Sequence, residues 1–165
     1  MAAPGEFQVS EVHAAQPPAS ELLTAMAEEL DALYEKVDGS LDSVPATPDQ
    51  MRPPSGSFLL ISSGSEPIAC GGVKRLDRET AEIKRMYVLP ARRDGGVARL
   101  LLGELERRVA ELGYSRIRLD TGPKQPAARR IYEGAGYRRI DDYNGNPYAA
   151  FWFEKRLSWG RANPT

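Results

Sequence analysis

Apolar and polar positions recur along this chain with two periods, and each change of period marks an element boundary. Phe7 to His13 alternates weakly and predicts a first strand. From Glu21 to Val37, Leu22, Leu23, Met26, Leu30, Leu33 and Val37 recur at helical spacing, and Ser20 is placed to cap the start. Phe58 to Ser62 is a short apolar strand, Ser63-Gly64-Ser65 turns the chain, and Ile68 to Leu76 returns. Gly71-Gly72 inside the returning strand predicts a bulge. Asp77 to Thr80 turns into a further strand, Ala81 to Val88. From Gly95 to Leu112, Val97, Leu100, Leu101, Leu105, Val109 and Leu112 share one side of a helix that Gly113 ends. Glu104 and Arg108 form a permitted i,i+4 pair on its wet side. Ser115 to Thr121 is a strand, and Pro126 to Ala135 is a helix stopped by Gly136. Tyr137 to Tyr143 and Ala149 to Lys155 are final strands joined by a turn at Asn144 to Pro147.

The order βα(α)βββαβαββ predicts an α/β fold, a mixed sheet with helices on both faces. Residues 38–57 are rich in Pro, Gly, Ser and Asp and read as loop, with Thr47-Pro48-Asp49 as a short helix start. The 165 residues suit a single domain, 1–165, with 157–165 as a tail.

Composition narrows the chemistry. No run approaches the ~18 apolar residues of a membrane span, and the start lacks a charged-then-apolar signal pattern, so a cytoplasmic protein is expected. The single cysteine, Cys70, excludes an internal disulfide and a Cys-rich metal site, and reads as a small buried strand residue. With His13 as the only histidine, a His-based triad would rest on one residue near the N-terminus. The net charge of −1 hides an asymmetry: ten acids against one base, Lys36, up to Gln50, then thirteen acids against twenty-one bases. This is either a set of solvated helix faces, or a basic half for a polyanionic ligand beside an acidic half for a cationic substrate.

The segment Arg93-Asp94-Gly95-Gly96-Val97-Ala98 joins a strand pattern to a helix pattern. Small residues there leave the first-turn backbone N–H groups open, with the positive end of the helix dipole behind them, which suits a phosphate or pyrophosphate. A plain connection would look similar, and neither G-x-G-x-x-G nor G-x-x-x-x-G-K-[ST] is present. Farther along runs Gln125-Pro126-Ala127-Ala128-Arg129-Arg130-Ile131-Tyr132-Glu133-Gly134-Ala135-Gly136-Tyr137.

The two segments together resemble the GCN5-related N-acetyltransferase (GNAT) superfamily. Its first signature, [RQ]-x-x-G-x-[GA], is matched by Arg93, Gly96 and Ala98. Its second, N-x-x-A-x-x-[LI]-Y-x-x-x-G-[FY], is matched from Ala128 to Tyr137, with Gln125 in place of the usual Asn. The resemblance spans residues 56–156, and the N-terminal third matches only in layout. It implies the GNAT fold: a central, mostly antiparallel sheet with one splayed parallel strand pair. It also implies acetyl-CoA as co-substrate, no metal, and transfer of an acetyl group to an amine.

By the same resemblance, the acetyl oxygen would lie near the Met86 N–H, and pantetheine would run along Met86, Tyr87 and Val88. The pyrophosphate would sit on Arg93, Asp94, Gly95, Gly96, Val97, Ala98 and Arg99, and Gln125 and Ala128 would border the cofactor. Tyr132 corresponds to the tyrosine that protonates the leaving thiolate, although a core aromatic beside Ile131 would look the same. Glu82 and Asp120 each match a position that serves as base in some members: Glu82 in histone acetyltransferases, Asp120 in ribosomal-protein acetyltransferases. Their plain alternatives are an ion pair of Glu82 with Lys84 or Arg85, and a turn cap by Asp120 at Thr121-Gly122. Some members use a water chain as base. Tyr143, Tyr148 and Trp152 could wall an acceptor pocket.

The expected partners are acetyl-CoA and a small, cationic amine, with no nucleic acid and no membrane, and a homodimer stays open. A protein or peptide acetyltransferase would show an open groove beside the acetyl. A CoA-binding regulatory module would not need Tyr132 and an acid. A toxin-like enzyme acting on charged tRNA would want a basic substrate face, against which the acidic N-terminal third argues.

Overall fold

The computed structural model describes residues 6–34 and 46–157, and the positions from 35 to 37 and from 38 to 45, like the 158–165 end of the expected tail, lie outside them. The strands are β1 (Phe7–Glu11), β2 (Ser57–Ser63), β3 (Glu66–Arg75), β4 (Thr80–Val88), β5 (Arg116–Thr121), β6 (Arg138–Ile140) and β7 (Phe151–Arg156). The α-helices are α1 (Ala19–Tyr34), α2 (Val97–Glu111) and α3 (Pro126–Gly134). The strands make one seven-stranded sheet in the order β1-β2-β3-β4-β5-β7-β6, antiparallel throughout except for the pair β4–β5. The expected mixed, mostly antiparallel sheet is therefore present, with its single parallel pair in the middle.

Strand alternation feeds two cores, one on each face. Leu59 and Ile61 of β2 join Ala81 and Ile83 of β4 and the α2 residues Val97, Leu101, Leu102, Leu105 and Val109. Phe58 and Leu60 point the other way, to Ala19, Leu22 and Met26 of α1 and to Met51. Met51 ends a short 3-10 turn, Pro48–Met51, in the segment read as loop. Thr47 caps that turn, and its Oγ1 accepts the Gln50 N–H while the Gln50 side chain accepts the Thr47 N–H. A tight cap and a buried Met51 make this part of the expected loop a structured plug.

The expected bulge is real, but its extra residue lies on β4. Cys70 pairs with Tyr87 and Gly72 with Lys84, so Gly71 alone faces both Arg85 and Met86. Arg85 takes φ 63°, a left-handed conformation costing about 1–3 kcal/mol in a non-glycine residue. The insertion flips the strand's phase: Ala81 and Ile83 face the α2 core, and after the bulge Met86 and Val88 do. The paired glycines are there for space. A Cβ on Gly71 would come within 2.8 Å of Leu105 Cδ1, and one on Gly72 within 2.3 Å of Met51 Sδ.

The expected Glu104–Arg108 pair does not form. Glu104 meets Arg107 at 3.3 Å, while Arg108 reaches Glu11 at 2.5 Å and Glu111 at 3.1 Å. A buried Ser57 beside Glu11 gives the guanidinium a better-connected partner set than the solvated helix face does. Among the described residues, no helix is long and apolar enough to cross a membrane.

Candidate active site

The parallel pair β4–β5 holds together only from Thr80–Arg116 to Glu82–Arg118. Beyond that, β4 runs on to Val88 and β5 to Thr121 without pairing to each other, and the bulge turns β4 away. The split opens a cleft of about 540 Å³. Its floor carries Ile83 to Val88, one wall Asp120 to Gly122 with Gln125 to Ala128, Ile131 and Tyr132, and the roof the α1 residues Met26 to Tyr34. Beyond Glu82 the edge of β4 that faces β5 is left without a paired strand on that side.

At one end lies the glycine turn. Residues Pro90–Gly95 form a short 3-10 helix and Gly96, at φ 80°, opens α2 with no side-chain cap. The first backbone bond beyond the turn is Leu100 N–H to Gly96 O, so the N–H groups of Val97, Ala98 and Arg99 remain the open donors of the helix. A Cβ on Gly95 or Gly96 would meet nothing within 4 Å. That open, donor-rich end fits a pyrophosphate. Arg93 is held at its rim, donating from Nε to the Val88 carbonyl at 2.9 Å and pairing with Glu29 at 2.8 Å. Asp94 is exposed beside it.

At the inner end stand the titratable candidates. Tyr132 is buried on α3, and its hydroxyl lies 3.8 Å from Met86 Sδ. Burial, and then the nearby Asp120 charge, push its phenol well above the usual range, so it holds its proton at neutral pH. Tyr132 also packs on Tyr137 and Phe153 with centroids 5.9 and 6.0 Å away. The ring is thus packed in the core, and the residue also borders the cleft.

Glu82 and Asp120 share a single clasp. Asn144 Nδ2 donates to Glu82 Oε2 at 3.2 Å and to Asp120 Oδ2 at 2.6 Å, while Asn144 Oδ1 accepts the Trp152 indole N–H at 3.0 Å. Because the indole can only donate, the Asn144 amide has one possible orientation. Tyr143 donates to Glu82 Oε2 at 2.5 Å, and Asn146 Nδ2 lies 3.4 Å from Asp120 Oδ2. Burial and the Glu82 carboxylate drive the Tyr143 phenol far up, so it stays a donor. Asp120 and Asn146 border the cleft, whereas Glu82, 1% exposed, lies buried behind it. Of the alternatives weighed for the two acids, the Glu82–Lys84 ion pair is present, with Lys84 Nζ 4.0 Å from Glu82 Oε1, whereas Asp120 engages Asn144 and Asn146 rather than the turn that follows it.

Of the three aromatics expected to wall a pocket, Tyr148 borders the cleft, and Tyr143 and Trp152 instead hold the carboxylates and Asn144. Cys70 is buried and its thiol pushed up to about 12 by burial, which removes it as a nucleophile. His13 accepts the Ala15 N–H near β1. Gln125 precedes α3 without capping it; its Oε1 accepts the Gly122 N–H at 3.1 Å and the Tyr34 hydroxyl at 3.4 Å.

Sequence reading overlooked Asn144 and Asn146, because Asn-Gly-Asn between two strands looks like turn chemistry and partly is: Asp142 Oδ1 accepts the Asn144 and Gly145 N–H groups. It also overlooked the α1 residues Glu29, Asp31 and Tyr34. The helical period places them on faces, but nothing local says what those faces meet.

A split parallel pair, a bulge at its mouth and an open helix start just beyond β4 make a cleft suited to an extended, phosphate-bearing ligand. The sequence matches the profile of the acetyltransferase (GNAT) family over residues 21–137. It is 30% identical over 112 residues to an uncharacterised N-acetyltransferase of Bacillus subtilis (strain 168), covering 65% of this chain and 74% of that one. The fold is shared with an acetyltransferase of Streptococcus agalactiae at TM-score 0.75 and 19% identity, covering 92% of this chain and 99% of the other. It is also shared with a GNAT-family acetyltransferase of Elizabethkingia anophelis solved with acetyl-CoA bound, at TM-score 0.65 and 18% identity over 92% and 99%. The chain belongs to the acetyltransferase (GNAT) family and is an acetyl-CoA-dependent acyltransferase. The family match begins in α1, well before the 56–156 span on which the motifs alone rest.

Proposed function

We propose that this protein moves the acetyl group of acetyl-CoA onto a primary amine of a small, cationic molecule by direct attack, without a covalent enzyme intermediate. The observation that carries this reading is that Tyr132 and Asp120 border one cleft at the point where β4 and β5 part. In this scheme Asp120 takes one proton from the acceptor's ammonium and passes it to solvent, the freed amine nitrogen attacks the thioester carbonyl, and Asp120 takes the nitrogen's second proton as the tetrahedral intermediate collapses. Tyr132 gives its phenolic proton to the sulfur as the carbon–sulfur bond breaks, and regains one from solvent.

Asp120 is favoured over Glu82 by access: it borders the cleft, and Glu82 is sealed beneath Tyr143 and Asn144. Glu82 then serves to hold the Tyr143–Asn144 clasp. The Met86 N–H is the proposed donor to the oxyanion, Tyr87 and Val88 flank the pantetheine path, and Gln125 and Ala128 border it from α3. The pyrophosphate is assigned to the turn from Arg93 to Arg99. A cationic acceptor is supported by Thr121 Oγ1, a buried oxygen on the cleft wall without a hydrogen-bond partner among the described residues, which an ammonium or its water shell would satisfy.

The test is a panel of small amines assayed for thiol release and acetylated product, with Tyr132→Phe beside the wild type. The variant should lose roughly 10²-fold in kcat, while its acetyl-CoA affinity by calorimetry stays within about twofold. An unchanged kcat with chemistry rate-limiting would leave Tyr132 a packing residue. A panel with no acetylated amine would overturn the small-molecule reading.

A further inference from the structure

The roof helix α1 presents two rows to the cleft. Met26, Leu30 and Leu33 form one, and Ala27, Asp31 and Tyr34 form the other at helical spacing. Glu29, also in the roof, is already committed, accepting the Tyr87 hydroxyl at 3.0 Å and pairing with Arg93 at 2.8 Å beside the pyrophosphate turn. Tyr34 spans to the opposite wall, where its hydroxyl meets Gln125 and accepts the Lys124 N–H. Asp31 is different. Its Oδ1 is buried and has no hydrogen-bond partner among the described residues, although Asp31 borders both the cleft and the neighbouring groove formed with Met51 and Arg85.

A buried carboxylate oxygen can only accept, so what it lacks is a donor. The cations of the cleft are not spare. Arg93 is held by Glu29, Lys124 Nζ donates to the Leu33 carbonyl at 3.3 Å, and Lys84 and Arg85 each have partners of their own. On the cleft side, α1 offers Met26, Ala27 and Leu30 as aliphatic neighbours, while Glu28 and Arg85 stand beside Asp31 in the adjoining groove.

We propose that Asp31 is a specificity-determining residue that receives a second positive charge of the acceptor, and that the preferred acceptor is an aliphatic amine bearing an ammonium at its far end. The inference rests on the small-amine reading above. The aliphatic side chains of α1 would cover the methylene chain, and Asp31 would take the far ammonium in a charge-assisted hydrogen bond. Glu29 and Asp31 then divide the acids of α1: Glu29 tends the coenzyme's arginine, and Asp31 reads the acceptor.

The experiment compares putrescine, butylamine and γ-aminobutyrate as acceptors for the wild type, Asp31→Asn and Asp31→Arg. In the wild type, kcat/KM should favour putrescine over butylamine by at least about tenfold, and Asp31→Asn should erase that ratio. Asp31→Arg should turn the preference toward γ-aminobutyrate. Calorimetric titration of putrescine into the protein saturated with CoA supplies a second readout without turnover, and affinity should fall at least about tenfold in Asp31→Asn. A putrescine-to-butylamine ratio that survives Asp31→Asn overturns this inference and leaves the acetyltransfer reading standing. If the wild type neither acetylates nor binds these probes while other small amines of the panel are acetylated, this inference falls alone.

Discussion

At the residue scale, the decisive group is Asn144, because one amide restrains two carboxylates. Asn144→Asp is nearly isosteric but replaces the shared donor with a third negative charge beside Asp120. A like charge placed there works against the carboxylate form of its neighbour. The base must be deprotonated to act, so the acid limb of the kcat/KM profile should move to higher pH by about one unit. A purely structural Asn144 would lower activity at every pH and leave the limb in place, which a pH-rate profile of the variant distinguishes. The same logic explains why sequence left Glu82 and Asp120 equal. Each sits on a strand at a plausible distance from a motif, and only the clasp places one at the cleft and the other behind it.

At the element scale, the cleft sits where regular structure is interrupted. β4 and β5 are ordinary strands up to Glu82 and Arg118, and the cleft exists because they then separate. The bulge at Arg85 and Met86 carries the strand's phase change, and the open start of α2 supplies the donors. The turn hypothesis predicts that Gly96→Glu lowers CoA affinity by more than about tenfold, since an anion would project where phosphate is expected. Gly96→Asn tolerates the positive φ of 80° without adding charge and should lose much less. Isothermal titration with CoA on both folded variants decides it; equal affinities for Gly96→Glu and wild type would remove the turn from the site.

At the scale of the whole molecule, charge segregation along the chain is not segregation in space. Glu11 and Glu29 from the acidic third pair with Arg108 and Arg93 from the basic remainder. One acid of the acidic segment, Glu29, therefore sits on the glycine turn itself. The far edge of the sheet is tied by Glu154, 2% exposed, which meets Arg118 at 2.9 Å and Arg138 at 2.6 Å. Burial pushes its carboxyl up, but the hydrogen bonds from Arg118 and Arg138 outweigh that and hold it below the ordinary range. A carboxyl with a depressed folded-state pKa stabilises the fold above its unfolded pKa, and this is lost as pH falls through the folded value. Glu154→Gln should cost about 3 kcal/mol at neutral pH, the low end for a broken buried pair because the arginines are partly solvated. The deficit should shrink below about pH 4, which denaturant unfolding at two pH values would show. A deficit independent of pH would mean that Glu154 acts by packing alone.

The amino-acid sequence by itself determined the element order, the helical and strand faces, the short turn at Thr47 and the two family motifs. Those depend on local periodicity, on capping chemistry and on backbone freedom at a few glycines, all written within a few neighbouring residues. Tertiary structure alone decided that Asp120 borders the cleft while Glu82 is sealed behind Asn144, and that Arg108 turns from Glu104 to Glu11. It also placed the bulge's extra residue on β4 and left one oxygen of Asp31 without a donor under the roof of the site. Each of these turns on which side chains meet across separate strands and helices, where burial decides whether a charge keeps water or must find a partner. No local pattern carries that information, because the partners lie tens of residues apart in the chain.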